Sequence, residues 1–141
     1  MKEGKKAAFK FLEYQIPEFS FKEPSNTNVE TLDIRFEAQG NYDLTESIYS
    51  MQILFLSSTK EDGEVTRVLT IAKFSFEEKG MPLDDIPPYF YRNGLAIVFP
   101  FIRAFISTLT LQANLKLLII PILNLSELEE ELKSKTVLEN S

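Results

Sequence analysis

Three observations predict an α+β fold: a four-stranded antiparallel sheet with one long and one short C-terminal helix packed on one face. The first is order. Four segments of strand-like apolar spacing come first, helical patterns follow, and the two do not alternate. The second is a hairpin signal, Asp62-Gly63, between two such segments. The third is the run Leu95 to Leu123, the longest apolar stretch, whose charge sits mainly in Arg103 and Lys116. With 141 residues, 44% hydrophobic and 26% charged, the chain reads as one globular domain. Residues 1–8 and 136–141 are expected to be flexible tails.

Each element has its own warrant. Phe9 to Phe21 is dense in apolar residues, and Pro17 within it suits an edge strand or a bulge. Glu23 to Asn28 reads as a loop. Thr31 to Ala38 sets Leu32, Ile34, Phe36 and Ala38 against Thr31, Asp33, Arg35 and Glu37, a strand with one wet face that Gly40-Asn41 should end. Ile48 to Leu56 places Tyr49, Met51, Ile53 and Phe55 on one side, and Val65 to Phe76 does the same with Val68, Ala72, Phe74 and Phe76. Lys79 to Pro88 is a turn-rich connection. The long helix then carries a stripe of Leu95, Val98, Phe99, Ile102, Ile106, Leu109 and Ala113. Pro100 requires it either to begin nearby or to tolerate a kink in an early turn, and Asn114 marks its end. Leu115 to Leu125 is broken by Pro121 and should be extended. Ser126-Glu127-Leu128-Glu129 is a capping box, opening a short acidic helix that runs to about Lys135 on a thin face of Leu128 and Leu132.

The long helix is apolar on a second flank as well: Phe101, Ala104, Phe105, Thr108 and Leu111. A helix apolar on both flanks needs burial on both. A membrane span is disfavoured, because Arg103 would lie near its centre at a cost of about 2.5–3.5 kcal/mol. A contact between copies of the chain accounts for these five residues better than a plain core does.

Composition excludes several chemistries. With no Cys and no His, disulfides, thiolate nucleophiles, Cys/His zinc sites and Ser-His-Asp catalysis are closed. A net charge of −6 disfavours nucleic acid as a partner. Asp84-Asp85 with Tyr89 and Tyr91 forms the one dense polar cluster in a loop. Adjacent carboxylates ordinarily solvate a turn, and no base, nucleophile or metal set converges there, so neither an enzyme nor a cofactor is expected. Lys2, Lys5 and Lys6 are followed by Lys10 and Glu13 rather than by an apolar core, which argues against a secretory signal and for a cytoplasmic protein.

The segment Phe9-Lys10-Phe11, leading to Glu18-Phe19-Ser20-Phe21 and Glu23-Pro24, resembles the first strand and crossover loop of the SecB family of bacterial protein-export chaperones. Asn93 to Arg103 is similar to that family's main helix, with its aliphatic-Phe-Pro-aromatic-x-Arg signature at Val98 to Arg103. Ile120-Pro121-Ile122-Leu123-Asn124-Leu125 looks like the family's lid segment, with Leu125 where an aromatic is usual. The resemblance runs from about Phe9 to Lys135, and the middle strands match in pattern only.

The resemblance implies an ATP-independent holdase that keeps unfolded preproteins in apolar grooves and passes them to the export motor SecA. It implies a homo-oligomer, a dimer of dimers, with the pairs stacked through their long helices. The groove is expected at Pro24, Val29, Leu32, Ile34, Phe36, Leu117, Ile119, Ile120 and Ile122, and SecA docking at Glu18. A further docking acid in the family is Lys22 here, a charge reversal, and another falls near Glu64 or Thr66. A tetramer would carry about −24, a field that favours basic clients. Some relatives serve toxin–antitoxin systems instead. From outside the family, a cystatin-like α+β module binding a small ligand is the alternative.

Overall fold

The computed structural model describes residues 8–25, 32–115 and 125–139. Strands β1 (Phe9–Phe21), β2 (Asp33–Asp43), β3 (Ile48–Thr59) and β4 (Gly63–Phe76) precede helix α1 (Pro88–Gln112), helix α2 (Leu125–Ser134) and strand β5 (Thr136–Leu138). The sheet order is β1-β4-β3-β2-β5. The first four strands pair antiparallel, and β5 runs parallel to β2. The fold is α+β as expected, but the sheet has five strands and is mixed.

The fifth strand forms from residues expected to be loose, and its causes are local. Leu132 and Leu138 pack on the core, so the chain leaving α2 is held against the sheet. The Thr136 hydroxyl lies 2.6 Å from the Tyr49 hydroxyl and donates to the Leu132 carbonyl at 2.7 Å. The Glu139 amide then donates to the Tyr42 carbonyl at 2.8 Å. Gly40 makes this possible. It does not end β2, which continues to Asp43; a Cβ there would overlap the Tyr49 ring and hydroxyl and crowd Thr136. Burial pushes the Tyr49 phenol well above its ordinary value, so it stays a neutral hydrogen-bonding group.

The inner sheet face is the core. Tyr49, Met51, Ile53 and Phe55 from β3 and Val68, Ala72, Phe74 and Phe76 from β4 are buried, as the alternation predicts. Asp62-Gly63 makes the hairpin turn, with Gly63 at φ 72°. β1 is an edge strand with two register shifts, one of them between Gln15 and Glu18, where Pro17 lies.

Helix α1 starts twelve residues before Pro100, with Pro88 in its first turn. Pro100 removes one donor in mid-helix, but it and Ala96, whose carbonyl loses the partner, are both exposed to solvent. At the other end Asn114 takes φ 61°, and the Leu115 and Asn114 amides return to the Thr110 and Leu111 carbonyls, a Schellman stop. By length and composition α1 could cross a bilayer. Here Leu95, Val98, Phe99, Ile102 and Ile106 are buried in the core shared with the sheet. Leu109 is only partly covered, and Ala113, which lies beyond the helix, is exposed.

Because Gly40 is filled by its neighbours' atoms rather than by its own, Gly40→Ala should destabilise the fold by about 1–3 kcal/mol, the usual cost of overpacking. Urea unfolding followed by circular dichroism measures it. A loss within experimental error would show that the Tyr49–Thr136 contact yields without cost.

Candidate functional site

The sheet's inner face is wider than the helix that lies on it, so each edge of the sheet has apolar side chains that α1 alone does not cover. On the β1 side, Phe11 and Tyr14 stack on Phe101 with ring centroids 5.8 and 4.6 Å away, and Phe19 meets Phe105 at 5.1 Å. Part of the helix's second flank is therefore covered within the chain, by an aromatic row on β1 that the helix pattern alone does not reveal. Ala104 and Thr108 remain exposed, as does Leu111 at 67%, and Tyr14 and Phe19 keep 38% and 50% of their surface.

On the β2 side lie Ile34 and Phe36, two of the groove residues expected from the resemblance. Ile34 and Phe36 share the inner face of β2 and are half-buried. Phe36 sets its ring 5.1 Å from both Phe55 and Phe99, which fixes it as a wall between sheet and helix. Leu32 lies just before β2 and is partly covered, as is Pro24 in the segment leaving β1. Val29, Leu117, Ile119, Ile120 and Ile122 lie outside the described residues. Of the expected set, the structure brings Ile34 and Phe36 together on one strand face, beside α1.

The segment that carries Pro24 is tied down by a group read from the sequence only as a turn residue. The Asp62 carboxylate accepts the Ser25 amide at 3.0 Å and the Ser25 hydroxyl at 2.7 Å. It also accepts the Thr59 hydroxyl at 3.0 Å, while the Asp62 amide donates to Thr59 Oγ1 at 2.9 Å. Those donors, Ser25 foremost, hold the Asp62 carboxyl below the ordinary carboxylate range. The β3–β4 turn thus anchors the start of the crossover. Thr59 three residues before Asp62 is the signal in the sequence, but its partner Ser25 is 37 residues away.

The opposite sheet face is solvated. Glu18 lies there, 3.4 Å from Arg67, which also reaches Glu64 at 3.4 Å. Arg67 therefore sits between two of the acids considered for docking. Thr66 is buried on the inner face, so of the two positions near the hairpin Glu64 is the one that faces solvent. Asp84 and Asp85 are exposed in a 3₁₀ turn over Leu83–Asp85, Tyr89 points outward, and Tyr91 is buried in the core, where burial first and the Asp84 charge second push its phenol upward. Among the described residues, no group of three or more acidic side chains is placed to hold a metal ion.

No family model and no curated protein matches the sequence. Among solved structures, the chain is similar to the SecB-like chaperone Rv1957 of Mycobacterium tuberculosis, solved with a ChAD peptide from the Rv1956 HigA1 antitoxin. The TM-score is 0.61 at 17% identity, covering 88% of this chain and 98% of that one. It is also similar, at TM-score 0.46 and 9% identity over 82% of this chain and 98% of the other, to a protein of unknown function from Streptococcus agalactiae. The chain has a SecB-like fold.

Asp62 has a depressed folded-state pKa, so its contribution is present above the unfolded carboxyl value and is lost as pH falls through the lower folded value. The Ser25 amide should therefore stay protected from exchange at neutral and mildly acid pH and open only below the usual carboxylate range. NMR exchange across an acid titration tests this. Asp62→Ala should free the Ser25 amide at every pH, and a Ser25 amide equally protected in that variant would refute the anchor.

Proposed function

We propose that this chain, starting from its SecB-like fold, is an ATP-independent holdase that binds non-native polypeptide along the inner face of β2. The observation that carries the reading is the pair Ile34 and Phe36. Both are left half-buried on a strand beside the main helix, in a fold shared with a chaperone solved with a peptide. Apolar burial at about 25 cal/mol per Å² recognises area rather than sequence, which suits a binder of varied unfolded segments. We include Pro24 and Leu32, both partly covered, in the same proposed groove. Val29, Leu117, Ile119, Ile120 and Ile122 complete the proposed groove.

Two destinations are open to such a client. Hand-off to SecA in protein export would use the solvated sheet face at Glu18. The Arg67 bonds to Glu18 and Glu64, and Lys22 in place of an acid, make that face less acidic than export docking calls for. Service to a toxin–antitoxin pair is the second reading, and it is favoured by one observation: the similar chaperone was solved with an antitoxin peptide. In both readings the protein works in the cytoplasm without cofactor or catalysis.

We assign the exposed strip Ala104, Thr108 and Leu111, continuous with the partly covered Phe101 and Phe105, to contact between copies in a dimer of dimers. Tyr14 and Phe19 on the free edge strand β1 widen the apolar area beside it.

Ile34→Asp should lower suppression of aggregation of a denatured model substrate about tenfold or more while leaving the fold intact, because it places a charge on the surface meant for apolar segments. Light scattering during dilution from denaturant reads it. Equal protection by the variant and the parent would remove β2 from the client site. Leu111→Asp should shift the assembly to smaller species in native mass spectrometry without unfolding, since its side chain is mostly exposed in the chain. An unchanged mass would exclude this strip as the contact.

A further inference from the structure

Among the described residues, the outer edge of β2 has an occupied part and a part without a partner, and one side chain marks the boundary. The Ala38 and Gly40 amides and the Tyr42 carbonyl point away from β3: Ala38 donates to Glu131 Oε2 at 2.9 Å, Gly40 to the Lys135 carbonyl at 3.2 Å, and Tyr42 accepts from the Glu139 amide at 2.8 Å. β2 pairs with β3 without a register shift. Strand backbone groups alternate in direction, so the amides and carbonyls of Ile34 and Phe36 point to that same outer edge. Among the described residues, no backbone group pairs with them on that side.

This edge already accepts a strand, because β5 adds to it in parallel at Gly40 to Tyr42. A strand continuing that ladder toward Ile34 would next have to accept the Ala38 amide. The Glu131 carboxylate takes that place, held on α2 with Lys135 at 3.5 Å. We propose that an extended client segment adds to β2 by backbone pairing at Ile34 and Phe36, and that Glu131 is the positioning residue that ends this pairing and sets its register. The proposal rests on the holdase reading and deepens it. The occupant is an extended segment with free amides, its alternate apolar side chains turned onto the face shared by Ile34 and Phe36.

The test uses the full chain, isotopically labelled, and a length series of soluble unstructured peptides alternating leucine and lysine. In the parent protein, peptide should slow exchange of the Ile34 and Phe36 amides and leave Ala38 unchanged, and affinity should stop rising once the peptide spans Leu32 to Phe36. In Glu131→Ala the longer peptides should bind about fivefold tighter, the worth of one added bond, and protection should reach Ala38. Glu131→Gln, whose amide oxygen still accepts, should behave as the parent. Peptide binding that protects no β2 amide overturns the proposal, as does an unchanged length dependence in a folded Glu131→Ala. Should that variant not fold, peptides N-methylated on one or the other set of alternate residues decide the matter in the parent: unequal binding of the two sets supports strand addition, and equal binding overturns it. If no peptide in the series binds at any length, the holdase reading itself falls, a result distinct from binding without β2 protection.

Discussion

A single helix about 10 Å across lies on a sheet whose five strands span roughly 19 Å from first to last, at the usual strand spacing. One such rod cannot cover that face, and much of the rest of the molecule answers this shortfall. On one side, β1 turns an aromatic row inward, and Phe11, Tyr14 and Phe19 close on Phe101 and Phe105. On the other, α2 brings Leu128 and Leu132 to the core and leaves Ile34 and Phe36 only partly covered. The proposed client surface is thus what remains after the helix has been placed.

Much of this was legible in the chain. Alternation located the four long strands and the correct inward face of each of the middle two. The apolar stripe located α1's buried side at Leu95, Val98, Phe99, Ile102 and Ile106. Two misreadings share a cause, which is that a residue's effect was set by a distant partner. Gly40 looked like a terminator because glycine weakens strands, yet here it is the position that admits the Tyr49 hydroxyl. Thr136 to Leu138 looked like a frayed tail because three residues carry no pattern of their own, yet β2, nearly a hundred residues earlier, supplies the ladder. Helix periodicity likewise correctly marked the second flank of α1 as apolar. It could not say that β1 would cover Phe101 and Phe105 and leave Ala104, Thr108 and Leu111 open. The proposed groove rests on resemblance alone at the level of sequence, since Ile34 and Phe36 follow the same alternation as any half-wet strand.

The polar anchors serve this apolar design by fixing its borders. Asp62 ties the start of the crossover to the β3–β4 turn through Ser25. Glu131 closes the β2 edge where α2 meets it. Each carboxylate accepts one backbone amide, Ser25 on Asp62 and Ala38 on Glu131. Exposed ion pairs such as Arg35–Glu37 contribute little beside them.

The two strands at the rims of the sheet come from opposite ends of the described chain, β1 from its start and β5 from its finish. During vectorial synthesis β2 and β3 can zip together early, but the rim beside Gly40 must wait bare until Thr136 to Leu138 emerge. For that interval the nascent polypeptide carries the kind of naked strand margin that attracts other unfolded chains. Thr136 to Leu138 are what cover that margin at Gly40 to Tyr42.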